Sequence, residues 1–228
     1  KELSGSKKKL EELSKNLKSK FNIKKGDLSL VVGGPPCQGY SGIGHRRSYK
    51  VDKEKIPSNY LYKEMYKVIE YFDPKAFIFE NVRGLLSARW TKNGAKGEIF
   101  KDVLKQFSKL KNYNYDYSLV QSKDYGVPQN RPRVLVIGIR KDIKSKISKE
   151  ELFPKKDISY PHLEELFSDL IDKNYNKNFI TSSYLSDPKT KIQRTLRTRK
   201  NKNSLLSKGD KLTDQEYSNH SPNIVKKF

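Results

Sequence analysis

Two helix-period apolar patterns set between short apolar runs constrain this chain more than any other feature. Leu61, Met65, Val68, Ile69 and Phe72 recur at i, i+4, i+7, i+8 and i+11, which puts all five on one face of a helix that Asp73-Pro74 then stops. Ile99, Phe100, Val103, Leu104, Phe107 and Leu110 make a second amphipathic helix. Apolar strand-like runs lie at 28–32, 76–79 and 134–139, and Tyr115, Tyr117 and Leu119 alternate as a half-buried strand. The order strand, helix, strand, helix, strand, strand predicts an α/β layered sheet with helices on its faces, and residues 115–139 read as two neighbouring strands joined by the Arg131/Arg133 loop.

On either side of this regular stretch the pattern weakens. Residues 1–26 carry Leu3, Leu10, Leu13 and Leu17 among many lysines and read as a charged leading helix on the surface. Residues 27–141 form the α/β core, and 142–228 a basic, partly helical connector. Within that connector, Leu163, Leu166, Phe167, Leu170 and Ile171 predict one helix, Thr213-Asp214-Gln215-Glu216 has the spacing of a capping box, and 172–212 reads as polar linker. A chain of 228 residues with 34% hydrophobic content supports one compact core, or one with a smaller attachment.

The 48 Lys and Arg outnumber the 26 Asp and Glu by 22, a field that suits a polyanionic partner, although a solvated lysine-rich surface gives the same total. No apolar run approaches the ~20 residues that span a bilayer, and no charged start leads into an apolar stretch, so a soluble, intracellular, cytoplasmic protein is expected. One cysteine makes an internal disulfide impossible. His45, His162 and His220 lack metal-ligand spacing, so a metal-free protein is expected.

That cysteine, Cys37, follows the first apolar run in a turn reading Gly33-Gly34-Pro35-Pro36-Cys37-Gln38-Gly39-Tyr40-Ser41. A thiol so placed can be aimed out of a sheet edge, although a lone cysteine is more commonly a small buried hydrophobe. The residues around it decide. The turn resembles the catalytic loop of the C5-cytosine DNA methyltransferases, Glu80-Asn81-Val82 resembles their Glu-Asn-Val signature, and Gln129-Asn130-Arg131-Pro132-Arg133 resembles their Gln-x-Arg-x-Arg signature. Three such segments in family order, each beside an apolar run, are specific; the resemblance covers roughly residues 27–141, with a weaker tail near residue 228.

The resemblance implies part of the Rossmann-like fold of S-adenosylmethionine-dependent methyltransferases, acting on duplex DNA within a bacterial, nucleoid-associated restriction-modification system. Cytosine C5 is a poor nucleophile, and a thiolate adding to C6 overcomes that; Cys37 takes this role. Charge then develops toward N3 and O2; the resemblance gives Glu80 the N3 role, as donor of a proton or hydrogen bond, while Arg131 and Arg133, two residues apart and so on one side of an extended segment, suit O2 and the organising of the loop or Glu80. Such chemistry needs the base flipped from the stack, with Gln38, Ser41, Arg46 and Arg47 against the opened duplex and its phosphates. Gly34, Pro36 and Leu61 match positions that touch the cofactor in relatives. The base that removes the C5 proton is not identified by the sequence.

The family's Phe-x-Gly-x-Gly turn and following acidic residue, which hold the cofactor, are missing. The segment from Tyr217 to Phe228 resembles the stretch just ahead of a target-recognition domain. The expectation is therefore the catalytic middle of a methyltransferase, with a second chain or further segments completing it, and with little activity alone. Two other readings stay open. A tRNA-methylating relative shares the loop but usually carries a Cys-Phe-Thr tripeptide, which a single-cysteine chain cannot have, and a non-catalytic nucleic-acid-binding subunit would need the charge but not Cys37, Glu80, Arg131 and Arg133 together.

Overall fold

The computed structural model describes residues 6–36, 53–144, 146–156, 161–172, 180–199, 203–218, 221 and 223. Two compact units divide the chain: residues 1–124 with 129–157, and residues 125–128 with 158–228.

The first unit is built on a four-stranded sheet. Its strands are β1 (Leu30–Gly33), β2 (Ala76–Val82), β3 (Tyr113–Gln121) and β4 (Pro132–Arg140), in spatial order β1-β2-β4-β3. β1 and β2 are parallel, with α2 (Leu61–Phe72) in the connection between them; β4 is antiparallel to both β2 and β3. Helix α3 (Glu98–Phe107) links β2 to β3. The α/β expectation therefore holds, with Leu61–Phe72 a helix throughout as the periodicity predicts. The second helix stops at Phe107 rather than Leu110, because Ser108 through Leu110 tighten into turns.

Strand alternation sorts the sheet into two faces. Val31, Phe77, Phe79, Val134, Val136, Tyr113 and Tyr115 share the face on which α2 and α3 lie, and pack with Met65, Ile69, Ile99, Val103 and Phe107 into the main core. Phe77 and Phe107 stack at 5.4 Å, and Phe79 meets Phe107 edge-on at the same separation. Gly138 leaves room for this, since a Cβ there would lie 2.1 Å from the Phe77 ring. The other face carries Ile78, Glu80, Val82, Arg133, Leu135 and Ile137, none of them fully buried. On the edge strand β1, Leu30 is 47% and Val32 64% exposed.

The leading helix α1 runs from Lys7 to Phe21. Only Leu10 is buried in it, against Val68 and Phe72 of α2, while Lys7, Lys8, Lys9, Lys15, Lys18 and Lys20 are exposed, as an amphipathic surface helix requires. At the end of the sheet where β1 and β2 begin, Arg140 ties three segments together. It donates to the carbonyls of Gly26 and Asp73, bonds the Asp73 carboxylate at 3.3 Å, and pairs with Asp142 at 2.7 Å. The Tyr113 hydroxyl donates to the Pro74 carbonyl at 2.6 Å. The short helix α4 (Lys149–Leu152) closes this unit, with Leu152 and Phe153 buried.

The second unit contains α5 (Leu163–Phe167), α6 (Lys191–Arg197) and a two-stranded ribbon of β5 (Thr198–Arg199) and β6 (Ser204–Leu205). The helix expected to reach Ile171 ends at Phe167. Thr213 to Glu216 start no helix; Glu216 instead bridges to Ile180, because no apolar helical period follows the capping spacing. Capping boxes form instead at His162 and Glu165, where α5 starts, and at Thr190 and Gln193, inside what reads as linker. A buried ion pair, Arg197 to Asp169 at 2.6 Å, holds this unit, with the guanidinium 3.8 Å over the Tyr184 ring.

Candidate active site

The carboxyl ends of the parallel strands β1 and β2 lie side by side, with Gly33 in register with Phe79. In open α/β sheets that edge is where ligands bind. Glu80 follows Phe79 and points to the face opposite the core, so its carboxylate is 38% exposed while its neighbours Phe79 and Asn81 are buried. The expected strand of 76–79 thus extends through Val82, and Glu80 is held within paired strand rather than at its end.

Arg133 stands opposite Val82 on β4, which places it diagonal to Glu80 on the same face. Its Nε meets Glu80 Oε1 at 2.5 Å, and its Nη1 donates to the Pro132 carbonyl at 2.9 Å. A half-exposed pair of this kind contributes little to stability, about 0.2–1 kcal/mol. Its consequence is directional: both side chains are fixed on two paired strands. The other Glu80 oxygen, Oε2, lies where a Cβ on Gly34 would be only 2.9 Å away, so the absence of a side chain at 34 lets the turn lie against the carboxylate.

Asn81, 5% exposed, turns to the opposite side. Its Nδ2 donates to the Pro35 carbonyl at 3.2 Å and its Oδ1 accepts from the Val82 amide at 2.9 Å. The Glu80-Asn81 dipeptide therefore does two tasks through strand alternation: one side chain faces outward, and the next holds the Gly34-Pro35-Pro36 turn. Sequence reasoning gave Asn81 no task of its own.

Arg131 lies just before β4 with an exposed side chain, and its carbonyl accepts from the Ser122 amide and hydroxyl, which joins the two ends of the β3–β4 connection. Of the two arginines, Arg133 is the one at Glu80. Gly34 and Pro36 border the site, and Leu61 opens α2 with a partly exposed side chain. The cavity lined by Pro35, Pro36, Asn59, Tyr62 and Asn81 holds about 10 Å³. That is far below the several hundred Å³ of a cofactor pocket, and of the three positions only Pro36 lines it, so this cavity does not by itself fit S-adenosylmethionine. Cys37, Gln38, Ser41, Arg46 and Arg47 lie outside the described residues. Among the described residues no group of three or more His, Cys, Asp or Glu is placed to hold a metal ion.

This geometry, a glutamate held within β2 and paired with an arginine beside a Gly-Pro-Pro turn, brings parts of the three sequence segments together. A family model for C-5 cytosine-specific DNA methylases matches residues 4–226, and the chain belongs to that family. The chain is 33% identical over 181 residues to the type II methyltransferase M.DdeI of Desulfomicrobium norvegicum, covering 78% of this chain and 40% of that protein. It is 36% identical over 143 residues to the type II methyltransferase M.FnuDI of Fusobacterium nucleatum, covering 62% of this chain and 38% of that one. The chain therefore spans less than half the length of these relatives. Among solved structures, a prophage-encoded Escherichia coli protein described as a DNA modification methyltransferase superposes with a TM-score of 0.52 at 24% identity, over 79% of this chain and 44% of that one, a likeness of fold.

Proposed function

We propose that this chain carries the catalytic residues of a DNA cytosine-5 methyltransferase of the restriction-modification type, with S-adenosylmethionine as methyl donor. The observation that carries the reading is the Glu80–Arg133 pair at 2.5 Å beside Gly34, with Asn81 holding the turn that leads into Cys37.

The Cys37 thiolate adds to C6 of a flipped cytosine, forming a C–S bond and moving an electron pair into the ring. Glu80 supplies a proton or hydrogen bond at N3, so the electrons do not accumulate there as full charge. Arg133 orients Glu80 and supplies fixed positive charge toward O2, with Arg131 as a second cation for the same side. C5, now nucleophilic, would take the methyl group from the sulfonium of the bound methyl donor, whose S–CH3 bond would break to leave a neutral thioether. Loss of the C5 proton to a base, water being sufficient, returns the electron pair, breaks the C–S bond to release the Cys37 thiolate and restores the aromatic ring, and a proton gained at N3 goes back to Glu80. Gln38, Ser41, Arg46 and Arg47 contact the opened duplex and its phosphates in this reading.

The partner beyond DNA is a second chain or further segments that complete the cofactor site. The apolar, exposed Leu30 and Val32 on the edge strand support this, since such an edge is a template for another strand. Bacterial cytoplasm with association to the nucleoid is the setting this function implies; among the described residues no helix is long and apolar enough to cross a membrane. The test is transfer of a labelled methyl group to unmethylated duplex DNA and, in parallel, to tRNA. Methyl transfer to DNA that is lost in Cys37→Ala supports the proposal; robust methylation of tRNA but not DNA overturns the substrate.

A further inference from the structure

Glu80 and Asn81 are consecutive on β2 and point to opposite faces of the sheet, yet both meet the same turn. On one face Gly34 lies so close to the Glu80 carboxylate that a Cβ there would be 2.9 Å from Oε2. On the other, the Pro35 carbonyl accepts from Asn81 Nδ2 at 3.2 Å. The Gly34-Pro35 segment therefore straddles β2. Gly33, just ahead of it, is already fixed: it pairs with Phe79, and the Met65 thioether of α2 fills the space over it, where a Cβ would be 2.7 Å from Sδ.

The Glu80 carboxylate thus stands between two walls. Arg133 Nε holds Oε1 at 2.5 Å, and the Gly34 backbone stands against Oε2. The first wall is set by cross-strand pairing of Arg133 with Val82. The second has no side chain of its own to anchor it. Pro35 and Pro36 offer no N–H, so this part of the turn can be held only through carbonyl oxygens, which calls for a donor. The residue that supplies it must also accept, because the Val82 amide donates to Asn81 Oδ1 at 2.9 Å. Asparagine meets both demands in a side chain only 5% exposed; an ionised aspartate of the same shape would set oxygen against the Pro35 carbonyl.

We propose that Asn81 is a positioning residue for Glu80: by holding Pro35 it keeps Gly34 against Oε2, so that the half-exposed carboxylate cannot swing away from Arg133 into solvent. This rests on the functional reading above, in which Glu80 acts at cytosine N3. Asn81 touches neither the substrate nor a reacting atom, and its effect on the rate passes through Gly34 and Glu80.

The experiment is a double-mutant cycle of Asn81→Ala and Glu80→Ala in the active methyltransferase containing this chain. Because misplacement of a reacting group by about an ångström costs up to about 100-fold, Asn81→Ala is expected to lower kcat about tenfold while KM for DNA changes less than about twofold. Once Glu80→Ala has removed the carboxylate there is nothing left for Asn81 to position, so adding Asn81→Ala to that variant should lower kcat by less than about twofold more. A merely structural asparagine, or one acting on another group of the site, gives its full tenfold loss in both backgrounds, and that result overturns the proposal. An unchanged kcat in Asn81→Ala overturns it too. Should Asn81→Ala not fold, Asn81→Ser takes its place with the same expected ratios, since it cannot reach Pro35 but keeps a hydroxyl beside the Val82 amide; failure of both to fold overturns the proposal, because Asn81 then serves the fold itself. Glu80→Ala alone separates the two readings. If that variant keeps the wild-type kcat the functional reading falls; if it is slowed and Asn81→Ala is not, only the positioning role falls.

Discussion

Gly34→Ala isolates the geometry of Glu80 from the stability of the fold. A Cβ at position 34 would sit 2.9 Å from Glu80 Oε2, whereas ordinary contact begins near 3.4 Å, so the carboxylate must retreat by about half an ångström. It is the far end of a side chain with 38% exposure, so the folding cost should stay within about 0.5 kcal/mol. The retreat nevertheless disturbs the 2.5 Å contact with Arg133, which sets the carboxylate's direction. Catalytic groups tolerate about half an ångström of error, and a full ångström costs up to about 100-fold, so a drop in kcat of about tenfold is expected. The contrast is Gly138→Ala, whose Cβ would lie 2.1 Å from the buried Phe77 ring; overpacking there should cost about 1–3 kcal/mol. Steady-state kinetics and thermal unfolding of both variants decide. An unchanged kcat in Gly34→Ala, a loss confined to KM for the cofactor, or a fall in Tm as large as that of Gly138→Ala would refute the reasoning.

Three further outcomes are expected. Glu80→Gln should lower kcat by about 100-fold or more while the Kd for DNA moves less than about threefold, because an amide cannot deliver the N3 proton; equal losses in both would make Glu80 structural. Burial beside Asp73 raises the Tyr113 phenol well above its ordinary 10, so the stability it brings is fully present below pH 10 and is lost as pH rises toward the folded value. Tyr113→Phe should therefore be less stable by about 1 kcal/mol at pH 7, with the gap from wild type narrowing above pH 10 in denaturant titrations; a constant gap would contradict the assigned bond to Pro74. Calorimetry of the isolated chain with S-adenosylmethionine should show no tight, stoichiometric binding, because the cavity that Pro36 lines is far too small for it; tight binding would overturn that reading.

The parts of the fold legible in the sequence are those where one physical signal acts alone. The α2 face at Leu61, Met65, Val68, Ile69 and Phe72 is a clean helical period with a Pro-containing stop, and the helix runs as the spacing predicts. The strands were legible as apolar runs, but their ends were not: Glu80-Asn81-Val82 continues β2 because cross-strand pairing to β4 overrides the polar residues. The second unit was least legible. Its core is polar, with Arg197 and Asp169 buried as an ion pair and Gln193 buried in bonds to Ser168, Lys189 and Thr190, and apolar periodicity carries no signal of such a core. At the site, the pairing of Glu80 with an arginine was readable from the segments, while the partner being Arg133, and the holding of Pro35 by Asn81, required the β2–β4 register.

The central claim is the covalent cytosine intermediate on Cys37. Duplex DNA containing 5-fluorocytosine in the recognised sequence blocks elimination, since fluorine cannot leave as a proton does. Incubated with the active enzyme and S-adenosylmethionine, it should give an adduct that survives denaturing electrophoresis, and Cys37→Ala should give none. An adduct that persists in Cys37→Ala would place the nucleophile elsewhere, and an active wild-type enzyme that forms no adduct would contradict the covalent route itself.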